Sequence, residues 1–189
     1  MRFPRNAHEA IPLGFGSDEI RRIGEHSASR SNIKPGASLT SLIADLGGRI
    51  GNLMSGDIVE SDADSLIVYR ERSFLALIKE PTNPDHPNMR FDLAMLIGHY
   101  ILHLHRVHAE HGMESGMLVP FYARTRQQKT SQREAVDFAV GFLAPRETFL
   151  ERWNARLGSA AAVAADLAIP AKYIETIRAA YAEASLQAA

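Results

Sequence analysis

The chain contains no cysteine. That excludes a disulfide framework, a thiolate metal centre and a cysteine nucleophile. Long apolar runs are missing too, and nothing approaches the roughly 20 residues needed to span a bilayer. The opening stretch MRFPRNAHEAIPLGF carries charge and no continuous apolar segment, so no signal peptide is expected. Nor does either sign of charge dominate. Lys and Arg number 21 against 22 Asp and Glu, a formal net charge of -1, so no global field draws the chain toward nucleic acid or membrane. These absences are compatible with a cytoplasmic location. What the chain does have is core material: 46% of its 189 residues are hydrophobic, enough for one domain with a substantial interior.

Residues 1–37 read as an irregular arm followed by a short helix over about 18–27, capped by Ser17, with Asp18 and Glu19 in its first turn. Leu39, Leu42, Ile43 and Leu46 fall at helical spacing, and Gly47-Gly48 ends that helix. A strand is expected at 49–53, then a hairpin or two adjacent strands from Leu66–Tyr69 and Phe74–Ile78. The stretch 81–88 holds three prolines and reads as a loop. A long, centrally buried helix follows over about 89–111, closed by Gly112 and Gly116. Next come a polar loop over about 122–131, a helix over 131–143, and another over 147–157. The alanine-rich segment 159–189 holds two helical patterns separated at Ile169-Pro170.

The informative stretch is Arg90-Phe91-Asp92-Leu93-Ala94-Met95-Leu96-Ile97-Gly98-His99-Tyr100-Ile101-Leu102-His103. It resembles the central helix of the ImmA/IrrE zinc-peptidase family, whose usual run is close to R-F-T-L-A-H-E-L-G-H-Y-L-L-H. The family's second run, E-A-x-x-F-A-x-x-L-L-M-P, has a counterpart from Glu134-Ala135 through Phe138-Ala139 to Leu143-Ala144-Pro145. The resemblance covers about residues 38–180. It implies an α+β, zincin-like fold in which a small twisted sheet packs on the central motif helix with additional helices. The core would span 38–158, with 159–189 a helical segment of the same domain.

In an H-E-x-x-H helix, two histidines at i and i+4 share a face and bind one zinc ion, and the glutamate acts as base for the metal-bound water. Carried over residue by residue, the first histidine position is Met95, the base position is Leu96, the second histidine is His99, and the third ligand is Glu134. A thioether is a poor zinc donor beside imidazole and carboxylate, and leucine accepts no proton. The resemblance thus implies a vestigial site, His99 and Glu134, with no catalytic residue and no cofactor. His99 is expected to be buried and hydrogen-bonded to Glu134. A site displaced by one turn, using His103 and Glu110, is the weaker alternative, with zinc as its cofactor.

His105, His108 and His111 read as an exposed polar face, and Met95, Met113 and Met117 as packing. Arg124, Arg126, Lys129 and Arg133 read as a solvated basic loop. The segment Ala164–Ile177 has helix-turn-helix spacing but carries only Lys172 and Arg178 as cations nearby, which is thin for DNA. The function implied by the resemblance is that of a regulatory protein-interaction module of a phage, mobile-element or stress circuit. Its partner would be a protein, a helix-turn-helix transcriptional regulator being the family's association. No membrane role and no direct nucleic-acid binding are expected. The alternatives are a metallopeptidase with reassigned ligands that cleaves such a repressor, and a DNA-binding regulator.

Overall fold

The structure is a computed structural model that describes residues 7–52, 63–70, 73–78, 83, 85–120 and 123–187. Residues 81, 82 and 84 of the 81–88 stretch, and residue 53, lie outside the described residues, while Pro87 and Asn88 already belong to a helix. The fold is mixed α+β and mainly helical. One five-stranded sheet is formed by β1 (Ala7–Glu9), β2 (Gly48–Asn52), β3 (Ala63–Arg70), β4 (Ser73–Ile78) and β5 (Gly116–Pro120), in the order β1-β5-β3-β4-β2. The expected hairpin is present, β3 and β4 pairing antiparallel from Ser65–Ile78 to Arg70–Ser73. The two edge pairings, β1 with β5 and β2 with β4, are parallel.

The helices are α1 (Ser17–Arg30), α2 (Leu39–Asp45), α3 (Pro87–His99), α4 (His105–His111), α5 (Arg126–Leu143), α6 (Arg146–Ala155), α7 (Ala160–Leu167) and α8 (Ile174–Gln187). Among the described residues, no helix is long and apolar enough to cross a membrane. Between α3 and α4 the chain stays helical but adopts π geometry over Tyr100–Leu104. The expected long helix is therefore one rod with a widened turn inside it, and Gly112, at φ 94, ends it.

Some boundaries differ from expectation for identifiable reasons. Gly116 opens β5 rather than closing a helix. The first segment is not wholly irregular, since Ala7–Glu9 pairs with Gly116–Leu118. α5 starts at Arg126 because Thr125 and Gln128 form a reciprocal capping box: the Thr125 side chain accepts from the Gln128 N–H and the Gln128 side chain accepts from the Thr125 N–H. Arg126, Lys129 and Arg133 accordingly sit on this helix and not in a loop.

α5 lies between α1 and α3, and small residues set its depth. A Cβ at Gly24 of α1 would overlap the Phe138 carbonyl oxygen, and one at Gly141 of α5 would overlap the Arg21 carbonyl oxygen. The two helices thus meet backbone to backbone. On the other side Gly98 of α3 faces the Phe138 ring, where a Cβ would come within 2.9 Å. Glu134 is one turn before Phe138, so the same seam carries its carboxylate to the central rod.

Arg90 joins the central rod to the C-terminal helices. Its side chain is buried, Nε donates to the Ala37 carbonyl at 3.0 Å, and Nη1 donates to the Leu167 carbonyl at 2.9 Å. The second bond satisfies an orphan carbonyl at the end of α7, where Ala168 turns left-handed at φ 49. Tyr181 of α8 donates its hydroxyl to the Ala144 carbonyl at 2.7 Å.

Candidate functional site

Where the central rod meets α5, three titratable side chains form a buried chain. Glu134 is 1% exposed, His99 1% and His103 0%. His103 Nε2 lies 2.8 Å from Glu134 Oε2, and His103 Nδ1 lies 2.9 Å from His99 Nδ1. The carboxylate's imidazole partner is therefore His103, with His99 one step further along. This corrects the expected His99–Glu134 hydrogen bond. The physical reason is the π turn. It begins immediately after His99 and carries His103, so the rotation between the two residues departs from that of a regular helix.

A carboxylate only accepts, so His103 Nε2 carries the proton shared with Glu134. One proton lies between the two Nδ1 atoms. With both rings neutral, His99 Nδ1 donates to His103 and His99 Nε2 is left with a lone pair. That Nε2 atom is buried and has no hydrogen-bond partner among the described residues. Such a group costs about 1–3 kcal/mol.

The other side of Glu134 meets the segment between β1 and α1. The Leu13 N–H donates to Oε2 at 2.9 Å and the Gly14 N–H to Oε1 at 2.7 Å. Gly14 holds φ 78, a conformation that favours glycine. Both carboxylate oxygens are thus engaged, by one imidazole and two backbone donors. Burial alone would raise the Glu134 carboxyl, but the hydrogen bonds from His103, Leu13 and Gly14 outweigh it and hold the group below its ordinary value. His99 is held well below the ordinary imidazole value, first by burial and then by the neighbouring His103.

No protein-family model and no curated protein matches this chain. The site's chemistry is therefore read from its own donors.

Those donors do not fit the zinc ion that a reassigned site would hold. Met95 packs half-buried against the core, and Leu96 is buried with it. Glu134 already has both oxygens occupied. Among the described residues, no group of three or more His, Asp or Glu side chains is placed to hold a metal. The weaker alternative pair is not drawn together as a centre either. His103 faces Glu134, whereas the Glu110 side chain is 64% exposed and lies beside His111. What the arrangement can do is cross-link the rod, α5 and the N-terminal arm through polar contacts.

Two other expectations need correction. His108 is buried and not on an open polar face, because Nε2 bonds the Ser115 carbonyl at 3.1 Å as the chain turns from α4 into β5. Met113 is exposed in the turn after α4, while Met117 is buried in the sheet. Sequence reasoning missed Leu13 and Gly14 altogether, since backbone donors leave no side-chain signature. A glycine two residues after Pro12 is the hint the sequence offers, without its backbone conformation.

The site makes stability depend on pH with a definite sign. A histidine whose folded pKa lies below its unfolded value contributes fully above the unfolded value, about 6.5, and loses that contribution as pH falls toward the folded value. Glu134, also depressed, acts with the same sign at lower pH: its contribution is present above its unfolded pKa and is lost below it. Unfolding free energy is expected to fall from pH 7 to pH 5.5, by at most about 1.4 kcal/mol per pH unit for one proton. His99→Phe should flatten that slope. Urea unfolding at the two pH values checks this, and a wild-type stability that rises on acidification would contradict it.

Proposed function

We propose that the protein is a non-catalytic regulatory interaction module on a zincin-like core of the ImmA/IrrE type, whose partner is a helix-turn-helix transcriptional regulator. The observation that carries the reading is the chemistry of the four motif positions. Leucine replaces the base, methionine replaces one ligand, and Glu134 is committed to His103 and the arm. Hydrolysis by the mechanism of that family needs a water activated by a metal and a base, and this donor set offers neither a three-ligand centre nor a base. Several features support the ancestry: the order of the two motifs, the Gly98–Phe138 contact that brings their helices together, and the stacking of Phe74 of β4 on Tyr100 of the central rod.

The few cations of the C-terminal segment already have partners within the chain. Lys172 lies over the Tyr173 ring at 5.0 Å, and Arg178 pairs with Glu175 at 2.7 Å. The function is tested by incubating the purified protein with helix-turn-helix regulators from the same cell, with and without zinc. A stable complex containing full-length regulator is expected. Regulator cleaved in a zinc-dependent manner would overturn the reading in favour of a peptidase.

A further inference from the structure

Between β1 and α1 the chain runs from Ala10 to Gly16 without regular secondary structure. Ala10, Ile11 and Leu13 pack against the core. The polar main-chain groups of this arm meet side chains 94 to 121 residues further along the sequence. Gln127 of α5 donates Nε2–H to the Ala10 carbonyl at 3.2 Å. Arg106 of α4 donates Nη1–H to the Pro12 carbonyl at 2.7 Å. Glu134 of α5 accepts from Leu13 and Gly14. Three helix side chains therefore grip four main-chain groups of an extended segment, two through N–H and two through C=O.

Proteins hold bound peptides in this way: main-chain bonds supply affinity and apolar side chains supply selectivity. The arm's sequence suits that role. Pro12 lacks an N–H and is read through its carbonyl alone. Gly14, at φ 78, redirects the chain just after the two successive N–H groups that meet one carboxylate. The bond to Arg106 and the two bonds to Glu134 each include a charged partner, which makes them stronger than neutral ones. On the far side the arm continues into β1, a three-residue edge strand whose Glu9 accepts from Gln128 Nε2 at 2.8 Å and whose His8 ring stacks on His111.

We infer that Gln127, Arg106 and Glu134 form a peptide-binding row occupied in cis by the chain's own arm. In trans it takes an extended segment of the same chemistry, apolar residues around a proline followed by a glycine. Binding such a segment requires the arm to leave, so the arm acts as an internal competitor. The inference stands whether or not the chain descends from a peptidase. Its failure would be seen in peptide binding and amide exchange, and failure of the functional reading above would be seen in regulator cleavage.

The test uses the full chain and a labelled synthetic peptide, EAIPLGFG, which copies residues 9–16. Gly14→Val weakens the arm selectively, because a Cβ there meets nothing within 4 Å while the left-handed backbone is strained. The peptide should bind Gly14→Val about tenfold or more tightly than wild type, and adding Glu134→Gln should remove the gain. In wild type, amide exchange at Leu13 and Gly14 should be slowed about 100-fold or more relative to a free peptide. The inference is overturned if those amides exchange at free-peptide rates in wild type. It also fails if a folded Gly14→Val chain whose arm has lost protection does not bind the peptide, or if Glu134→Gln leaves binding unchanged.

Discussion

Glu134→Leu is expected to destabilise the fold by about 3–5 kcal/mol, the range for removing one partner of a buried charged contact. Leucine fills the volume but accepts no hydrogen bond. His103 Nε2, Leu13 N–H and Gly14 N–H would all lose their acceptor inside the protein. Each buried donor left unpaired costs about 1–3 kcal/mol. Arm displacement would let the two backbone donors reach water, which keeps the total below the simple sum. The transition should remain cooperative while its urea midpoint drops. A loss below about 1 kcal/mol would mean that the relay contributes little to the fold.

Gly141→Ala is expected to destabilise the fold by about 2 kcal/mol, for a different reason. The added methyl would overlap the Arg21 carbonyl oxygen, which belongs to the backbone of α1 and cannot rotate away. α1 would have to lift from α5, opening the seam that also carries Phe138 and Phe142. Overpacking of this kind costs typically about 1–3 kcal/mol, and a backbone obstacle puts this site at the upper end. Alanine's better helix propensity returns only about 1 kcal/mol. Gly16→Ala serves as the control, since its Cβ would meet nothing within 4 Å and its φ is -70. Thermal unfolding should separate the two variants clearly. Equal melting temperatures would contradict the close crossing of α1 and α5.

Much of the element order was legible because it rests on local pattern. Leu39, Leu42 and Ile43 gave α2 by their spacing, and the runs around Leu66 and Phe74 gave the hairpin. The central rod was legible from its continuous apolar character. The π turn within it was not, because a change from i→i+4 to i→i+5 bonding leaves no hydrophobic signature. That change moved the partner of Glu134 from His99 to His103. β1 and β5 were hidden for another reason. They are short, and their pairing joins residues more than a hundred positions apart, which period-2 alternation over three to five residues cannot reveal. The capping box Thr125-x-x-Gln128 could have been read directly, and it would have placed the start of α5 correctly.

The candidate site was legible only as a set of side chains. His99 and Glu134 stood out through their motifs, and the structure places both in one buried chain with His103. The role of that chain depended on groups no motif contains: two backbone N–H donors from the arm and the carbonyls held by Arg106 and Gln127. Gly14 matters through its φ value, which only the fold exposes.

Metal stoichiometry is the most direct test of the central claim that polar contacts, and not an ion, hold these helices and the arm together. Protein purified without chelator and dialysed against micromolar zinc should carry well under one zinc per chain by elemental analysis. Its melting temperature should not respond to zinc, since binding to the folded state alone would raise stability by linkage. Close to one zinc per chain, lost when His99 and Glu134 are both changed to alanine, would contradict the claim and restore a metal centre to this site.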